Sequence, residues 1–277
     1  MKTRSLPPCH NRRDVAAWGA AVEPARGTTG GCSPGVVAGE SVEHDASHRL
    51  GRFVTSPWLA SLDLLALLLV SIAFGSSSAQ AESPVAPGAQ LQKLAGGFGF
   101  TEGPTCDTAG NIYFTDQPND RIMEWNVAGE LSRFLQPCGR ANGMFFDRHG
   151  NLIACADEKN ELWSIAPDRK VTVLVRNYQG KLLNGPNDVW VRPDDGLYFT
   201  DPYYPRSYWK RGPKEMGEHV YFLSGDRRVL KRVTEDLRQP NGISGTPDGK
   251  RLYVADIGAG KTYAYDIQPD GALANRQ

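Results

Sequence analysis

The sequence has little that points to a charged partner, a covalent nucleophile or a disulfide framework. Its 31 basic and 31 acidic residues give a formal net charge of zero, so nothing favours nucleic acid or an anionic membrane. Ser244 lies in Asn-Gly-Ile-Ser-Gly, which is not the Gly-x-Ser-x-Gly nucleophile elbow, and neither His149 nor His219 has a partner at metal-ligand spacing. After residue 81 the chain keeps Cys106, Cys138 and Cys155, an odd number, although one bridge between two of them stays open.

The N-terminal third of the chain differs in composition from the rest. Residues 1–53 mix Arg, Gly, Pro, Ser and acidic residues without apolar periodicity, which indicates disorder or an upstream extension of a misplaced start codon. Residues 54–81 are predicted to be a signal peptide, because an apolar run at 62–74 follows basic residues and precedes an Ala-Gln-Ala cleavage site. A buried helix or an uncleaved anchor is the alternative. A signal peptide predicts export to the periplasm or the outside of the cell. After its cleavage, residues 82–277 are not expected to be attached to a membrane.

One sequence motif recurs four times after residue 100, each time with an oxygen-bearing side chain at its start. It opens with Glu or Asn, runs through a Gly and a short apolar stretch, and closes on Asp 14 or 15 positions later. The leading residues are Glu102, Asn142, Asn187 and Asn241, and the closing residues are Asp116, Asp157, Asp201 and Asp256. Because a repeat brings equivalent positions to equivalent places in space, the four leading side chains could meet around one axis. Converging oxygen side chains are typical of calcium-type sites.

The spacing of the repeats predicts an all-β propeller. Successive closing aspartates lie 41, 44 and 55 residues apart. Each unit contains short strands rich in β-branched and aromatic residues, separated by Asp-Gly or similar turns. A four-stranded unit of about 40–50 residues is typical of a propeller blade, whereas a β-sandwich or an up-and-down barrel does not explain the self-similarity. The sequence therefore predicts about four blade units, each with its leading residue just before an innermost strand and directed at the channel mouth.

The longest interval between repeats contains a loop rich in aromatic and basic residues at 202–218. A loop of this length is usually functional or disordered, and its aromatic residues predict a contact surface near one channel mouth. Tyr203, Tyr204 and Trp209 could line this mouth, with ordinary packing as the alternative, and Tyr203 is the candidate substrate-binding residue. The closing aspartates are interpreted as structural turn formers.

Five motifs give the sequence a resemblance to a known family. They occur in the family's order over roughly residues 94–270, and the family is that of SMP-30, gluconolactonase and regucalcin-like proteins. The motifs are Thr101-Glu-Gly-Pro, Ala141-Asn-Gly-Met-Phe-Phe-Asp, Leu183-Asn-Gly-Pro-Asn-Asp-Val-Trp, Phe199-Thr-Asp-Pro-Tyr-Tyr and Gln239-Pro-Asn-Gly. The resemblance implies a six-bladed propeller with a divalent metal in its channel. It also implies hydrolysis of a small-molecule sugar lactone to the aldonic acid by metal-activated water.

The resemblance also implies roles for individual residues. Glu102 matches the family's first-blade metal ligand, and Asn187 and Asn241 match its asparagine ligands in later blades. This oxygen donor set favours Ca²⁺, with Zn²⁺, Mg²⁺ or Mn²⁺ as alternatives. Asn142 and Asp188 are candidate substrate-binding residues, although an Asn before Gly could simply mark a turn and Asp188 could be a turn cap.

The chain departs from the family's pattern at its C-terminal end. Four units are visible where the family has six, and the family's catalytic Asp would lie beyond Gln277, so the catalytic residue is unknown. The expectation is a fragment or a naturally short chain. The alternative to lactone hydrolysis is therefore a non-catalytic propeller, or an inactive truncated fragment that lacks the family's general base. A third, weaker interpretation is a related propeller hydrolase acting on another ester or on organophosphates. Nothing in the sequence predicts the oligomeric state.

Overall fold

Short β-strands make up nearly all the regular structure. The computed structural model describes residues 85, 86 and 88–277, and within them it contains eighteen strands and three 3-10 helices of three residues each. The segments predicted as an upstream extension (1–53) and as a signal peptide (54–81) lie outside the described residues. No helix in the described part is long and apolar enough to cross a membrane.

Sixteen of the described strands form four antiparallel sheets of four, here named blades 1 to 4, and each sheet pairs its strands in sequence order. Blade 1 contains β1 (Thr101–Cys106), β2 (Ile112–Asp116), β3 (Arg121–Trp125) and β4 (Leu131–Leu135). Blade 2 contains β5 (Ala141–Phe146), β6 (Leu152–Ala156), β7 (Glu161–Ile165) and β8 (Val171–Val175). A small hairpin follows, made of β9 (Asn177–Tyr178) and β10 (Lys181–Leu182). Blade 3 contains β11 (Val189–Val191), β12 (Leu197–Asp201), β13 (His219–Leu223) and β14 (Leu230–Arg232). Blade 4 contains β15 (Pro240–Gly245), β16 (Arg251–Asp256), β17 (Lys261–Ile267) and β18 (Leu273–Ala274).

The turn of the first hairpin in every blade contains a residue with a positive φ angle. Gly110, Gly150 and Gly249 have φ of 92°, 80° and 73°, which glycine adopts without steric cost. Blade 3 differs, because there the positive φ of 64° falls on Asp195 and not on the following Gly196. The turn glycines thus have the predicted role in three of the four blades.

The apolar core lies between the faces of successive blades. The first strands of the blades contact one another in order, β1 with β5, β5 with β11 and β11 with β15. One buried cluster joins blades 1 and 2, a second joins blades 2 and 3, and a third joins blades 3 and 4. Cys155 is a small core residue of the second cluster, and Cys138 is buried in the first. Four-stranded sheets stacked through their faces, with first strands innermost, are the blades of a propeller.

Three of the closing aspartates fasten the chain that leads into their own blade. The carboxylates of Asp116, Asp201 and Asp256 each accept two backbone N–H groups from the residues just before the first strand of the blade. The donor pairs are Gly99 with Phe100, Asn184 with Gly185, and Arg238 with Gln239, at 2.8–3.3 Å. The structural role predicted for these three aspartates is confirmed. Asp157 behaves differently and is described with the site.

Candidate active site

The leading residues occupy equivalent positions on the innermost strands. Glu102, Asn142 and Asn241 are each the second residue of their strand, β1, β5 and β15. Asn187 lies two residues before β11, and its N–H donates to Thr200 on β12 at 2.9 Å, which continues the pairing. The pairing of β1, β5 and β15 becomes irregular at or next to the leading residue. Irregularities of this kind re-aim side chains and are common beside active sites.

Two threonines connect the leading residues of neighbouring blades. The hydroxyl of Thr115 on β2 lies 3.0 Å from the carbonyl oxygen of Glu102 and 3.1 Å from that of Asn142. The hydroxyl of Thr200 on β12 donates to the carbonyl oxygen of Asn241 at 2.7 Å. The recurrent Phe-Thr-Asp of β2 and β12 therefore has two structural roles, because its Thr ties the blade to the next one and its Asp ties the blade to its own lead-in.

The glycines that follow two leading residues allow the innermost strands to approach closely. A Cβ on Gly103 would lie 2.8 Å from the Gly143 Cα and still closer to the Asn142 carbonyl oxygen. A Cβ on Gly143 would lie 2.6 Å from the Asp188 Cα, and the Gly143 N–H donates to the Asn187 carbonyl at 2.6 Å. Asn142-Gly143 is thus part of strand β5, and the turn considered as an alternative is wrong.

The leading side chains keep most of their polar atoms free. Asn142 and Asn187 are buried, yet within the described residues their side-chain amides make no hydrogen bond. Glu102 accepts only the N–H of Gly103, at 3.3 Å, among the described residues. Burial raises the pKa of Glu102, and the Gly103 hydrogen bond and the charge of Arg206 oppose that rise. The Asn241 amide nitrogen donates to the Tyr204 hydroxyl at 2.9 Å.

Residues of different blades act on one another electrostatically. The charge of Glu102 on blade 1 raises the pKa of Asp188 on blade 3 and that of Tyr204 on the following loop, in each case after the larger effect of burial. Arg206 on that loop acts on both Glu102 and Tyr204. The convergence of the leading side chains on one site stays a prediction.

Asp188 connects blades 3 and 4 through both carboxylate oxygens. Oδ1 accepts the N–H of Val189 at 2.9 Å, and Oδ2 accepts the N–H of Ile243 on β15 at 3.0 Å. Burial raises its pKa to about 7 against these two hydrogen bonds. The residue as a whole is half-buried. Asp188 thus fastens two innermost strands, and its predicted contact with substrate stays a prediction.

The 202–218 loop reaches back from blade 3 to blades 1 and 2. The Tyr208 hydroxyl donates to the Gln117 side-chain oxygen at 2.6 Å, just after β2. Arg211 forms an ion pair with Asp157, just after β6, and Arg206 lies 3.5 Å from the same carboxylate. The loop is therefore bonded to blades 1 and 2. The charge of its Arg206 also acts on Glu102.

Tyr203 and Tyr204 differ in what their hydroxyls contact. The Tyr203 hydroxyl donates to the Gly212 carbonyl at 2.9 Å, within the loop itself. The Tyr204 hydroxyl accepts from Asn241, a predicted metal ligand. Sequence reasoning selected Tyr203, yet Tyr204 is the tyrosine that the fold brings to a leading residue, and only the tertiary structure distinguishes the two neighbours.

Asp157 is the functional candidate that sequence reasoning missed. It is 2% exposed, and its carboxylate contacts Gln117, Arg206 and Arg211. The two arginines follow it by 49 and 54 positions in the sequence. The lead-in of blade 2 is fastened instead by Asp120, which accepts two backbone N–H groups at 3.0 and 2.6 Å. Asp157 begins a turn, because its carbonyl oxygen accepts the Asn160 N–H at 3.2 Å, but no local pattern marks the distant partners of its side chain.

Two shallow surface depressions lie away from these residues. The larger, of about 430 Å³, is lined in part by Tyr178, Lys214 and Arg232, and the smaller, of about 270 Å³, in part by Asp236 and Arg276. Neither depression is lined by a leading residue. The candidate site is therefore the part of the innermost strands that carries the leading residues.

Comparison with known proteins agrees with this geometry. The sequence profile described as SMP-30/Gluconolactonase/LRE-like region matches residues 100–277, which include all four blades. The chain belongs to this family. The gluconolactonase of Zymomonas mobilis is 29% identical over 205 residues, which are 67% of this chain and 57% of that enzyme. This chain therefore spans little more than half the length of that relative.

Solved structures of the SMP-30/gluconolactonase family show the same fold. The gluconolactonase of Xanthomonas campestris superposes with a TM-score of 0.63 at 29% identity, over 66% of this chain and 63% of that one. Regucalcin from Agrobacterium tumefaciens, described as a calcium-binding protein, superposes with a TM-score of 0.50 at 16% identity, over 64% of this chain and 58% of its own. At that identity the likeness to regucalcin is evidence on the fold. The propeller prediction is confirmed.

The donor set of this chain fits a hard cation. No three His, Cys, Asp or Glu side chains lie together as a metal-binding group in the described part. The side-chain amides of Asn142 and Asn187 make no hydrogen bond within the described residues, and their polar atoms are not completely enclosed, so their oxygens can still bind a ligand. One carboxylate and unused amide oxygens are ligands that Ca²⁺ and Mg²⁺ prefer.

Proposed function

We propose that this chain hydrolyses a sugar lactone to the aldonic acid and needs a divalent cation to do so. The observation that carries the proposal is the group of leading residues, in which Glu102 and the asparagines project from the innermost strands with unused oxygens. Membership of a family that includes gluconolactonases supports the reaction class. Because the chain spans only part of its relatives, the activity, the small-molecule lactone and the cation are all proposals.

Each proposed ligand contributes a defined feature. Glu102 supplies the negative charge, and Asn187 and Asn241 supply neutral oxygens from two other blades. A bound divalent cation would polarise the lactone carbonyl and lower the pKa of a water molecule. Ca²⁺ is the proposed cation because every donor is a hard oxygen, with Zn²⁺, Mg²⁺ and Mn²⁺ as alternatives.

The substrate is proposed to lie beside these ligands. Asn142, Asp188 and Tyr203 are the proposed substrate-binding residues. Asn142 is supported by its free, buried amide beside Glu102 in the adjoining strand. Asp188 is supported by its electrostatic coupling to Glu102. Tyr203 is supported only by its position in the 202–218 loop, next to Tyr204.

Export to the periplasm or the outside is also proposed, on the basis of the signal-peptide pattern at 54–81. The mass of the protein recovered from the exported fraction tests this proposal, because cleavage after residue 81 leaves a chain that starts at residue 82. Recovery of the uncleaved chain in the cytoplasm would contradict it.

The purified protein is expected to hydrolyse gluconolactone when Ca²⁺ is present and to lose that activity in EDTA. The reaction releases a carboxylic acid, so a pH indicator measures it, and re-adding each of Ca²⁺, Zn²⁺, Mg²⁺ and Mn²⁺ identifies the cation that restores the rate. Hydrolysis that is indifferent to EDTA would refute the cation requirement. Cation binding without hydrolysis would support the alternative of a non-catalytic propeller.

A further inference from the structure

Tyr204 makes a contact that the proposed function does not use. It lies in the loop after blade 3, and its hydroxyl accepts a hydrogen bond of 2.9 Å from the side-chain nitrogen of Asn241 on blade 4. The two residues are 37 positions apart, so the fold and not the local sequence brings them together. Among the described residues, the amides of Asn142 and Asn187 have no such partner.

This hydrogen bond determines which atom of Asn241 is offered to a cation. A side-chain amide carries one oxygen and one nitrogen, and only the oxygen is a ligand for a hard cation. An unrestrained amide can rotate so that either atom faces the ligand. With Nδ2 held by Tyr204, Oδ1 is the atom left for ligation.

The ring of Tyr204 is itself held in place. The guanidinium of Arg206 lies 4.8 Å from the centre of the Tyr204 ring, and the same guanidinium lies 3.5 Å from the buried carboxylate of Asp157. A cation over an aromatic face and an ion pair to a buried acid restrict the motion of the Tyr204 side chain. Its hydroxyl is thus a fixed partner for Asn241.

We propose that Tyr204 is a positioning residue, which orients the Asn241 amide so that Oδ1 binds the divalent cation. This inference rests on the proposed function, in which Asn241 is a cation ligand. Partners that orient metal ligands in this way typically change metal affinity by about 10- to 100-fold when they are removed.

Calcium affinity of the full chain, measured by titration calorimetry without substrate, tests this role. Tyr204→Phe keeps the ring beside Arg206 and removes only the hydroxyl, and it is expected to weaken Ca²⁺ binding about 10- to 100-fold. Tyr208→Phe is the matched control, because it removes a hydroxyl of the same loop that donates to Gln117 and bonds to no leading residue. The control is expected to bind Ca²⁺ within about 2-fold of the unmodified protein.

A second background separates orientation from general loosening of the loop. Asn241→Asp makes both terminal atoms oxygens, so the orientation of the side chain no longer decides which atom binds. Tyr204→Phe is therefore expected to change Ca²⁺ affinity by less than about 3-fold when it is added to Asn241→Asp, a non-additive result. An equal loss in both backgrounds would overturn the orienting role.

The outcomes also separate this inference from the proposed function. If the unmodified protein binds Ca²⁺, Glu102→Gln does not, and Tyr204→Phe binds normally, the positioning role is overturned and the cation site stands. If the unmodified protein binds no divalent cation, the proposed function and the positioning role are both overturned. Circular dichroism of each variant confirms that the blades are folded before affinities are compared.

Discussion

Replacing Glu102 by Gln is expected to abolish calcium-dependent lactone hydrolysis and to lower Ca²⁺ affinity at least about 100-fold, because the charge of the ligands sets calcium affinity. Glu102 is the only carboxylate among the four leading residues, and Gln keeps its size. Thermal unfolding gives an independent measurement. At a calcium concentration of 100 times the Kd of the unmodified protein, that protein should gain about 2.7 kcal/mol of stability, and Glu102→Gln should gain at most about 0.4 kcal/mol.

The same substitution should be tolerated when no cation is present. Burial raises the pKa of Glu102 in the folded state, so the ionised carboxylate opposes folding at neutral pH, and a neutral amide removes that opposition. Glu130→Gln is the matched control, because Glu130 lies exposed in a turn of the same blade and loses the same charge. If Glu102→Gln retained calcium binding, or if Glu130→Gln lost it as well, Glu102 would not be the ligand.

Replacing Gly143 by Ala is expected to destabilise the fold by about 3 kcal/mol. The added Cβ would lie 2.6 Å from the Asp188 Cα and 2.7 Å from the Asn187 carbonyl oxygen. Both neighbours are backbone atoms of the next blade, so the innermost strands would have to separate. Separation would also lengthen the 2.6 Å hydrogen bond from the Gly143 N–H to Asn187. Urea denaturation monitored by circular dichroism measures the loss.

Gly242→Ala is the matched control for this prediction. Gly242 also follows a leading Asn, but a Cβ there would lie 3.9 Å from the Ala255 Cβ and 4.0 Å from the Asp188 Oδ2, which are ordinary contacts. Its stability is expected to stay within about 1 kcal/mol of the unmodified protein. Equal stability of the two variants would show that close approach between blades does not explain the glycine at position 143.

The blade architecture could be predicted because its signals are local. Turn glycines such as Gly110 and Gly150, the alternation of short strands and the recurrent Thr-Asp all lie within one repeat. The spacing of the repeats then predicted the order of the blades and the equivalence of the leading residues. These signals predicted Glu102 just before an innermost strand, whereas it is the second residue of β1.

Other features could not be predicted because they depend on contacts between blades. Asn142-Gly143 has the composition of a turn, yet its glycine serves close packing against Asp188 in the next blade. Asp157 closes its motif in the sequence, but it lies one residue past the end of β6, whereas the other closing aspartates end their strands, and arginines from a distant loop bind it. Neighbouring tyrosines in that loop differ only in their tertiary partners.

A crystal structure of the protein grown with Ca²⁺ tests the central claim most directly. The anomalous signal of calcium locates the ion independently of the refined side chains. We expect one ion on the innermost strands, with oxygens of Glu102, Asn187 and Asn241 at about 2.3–2.6 Å. An ion bound elsewhere, or these three side chains bonded only to protein and water at saturating calcium, would contradict the account.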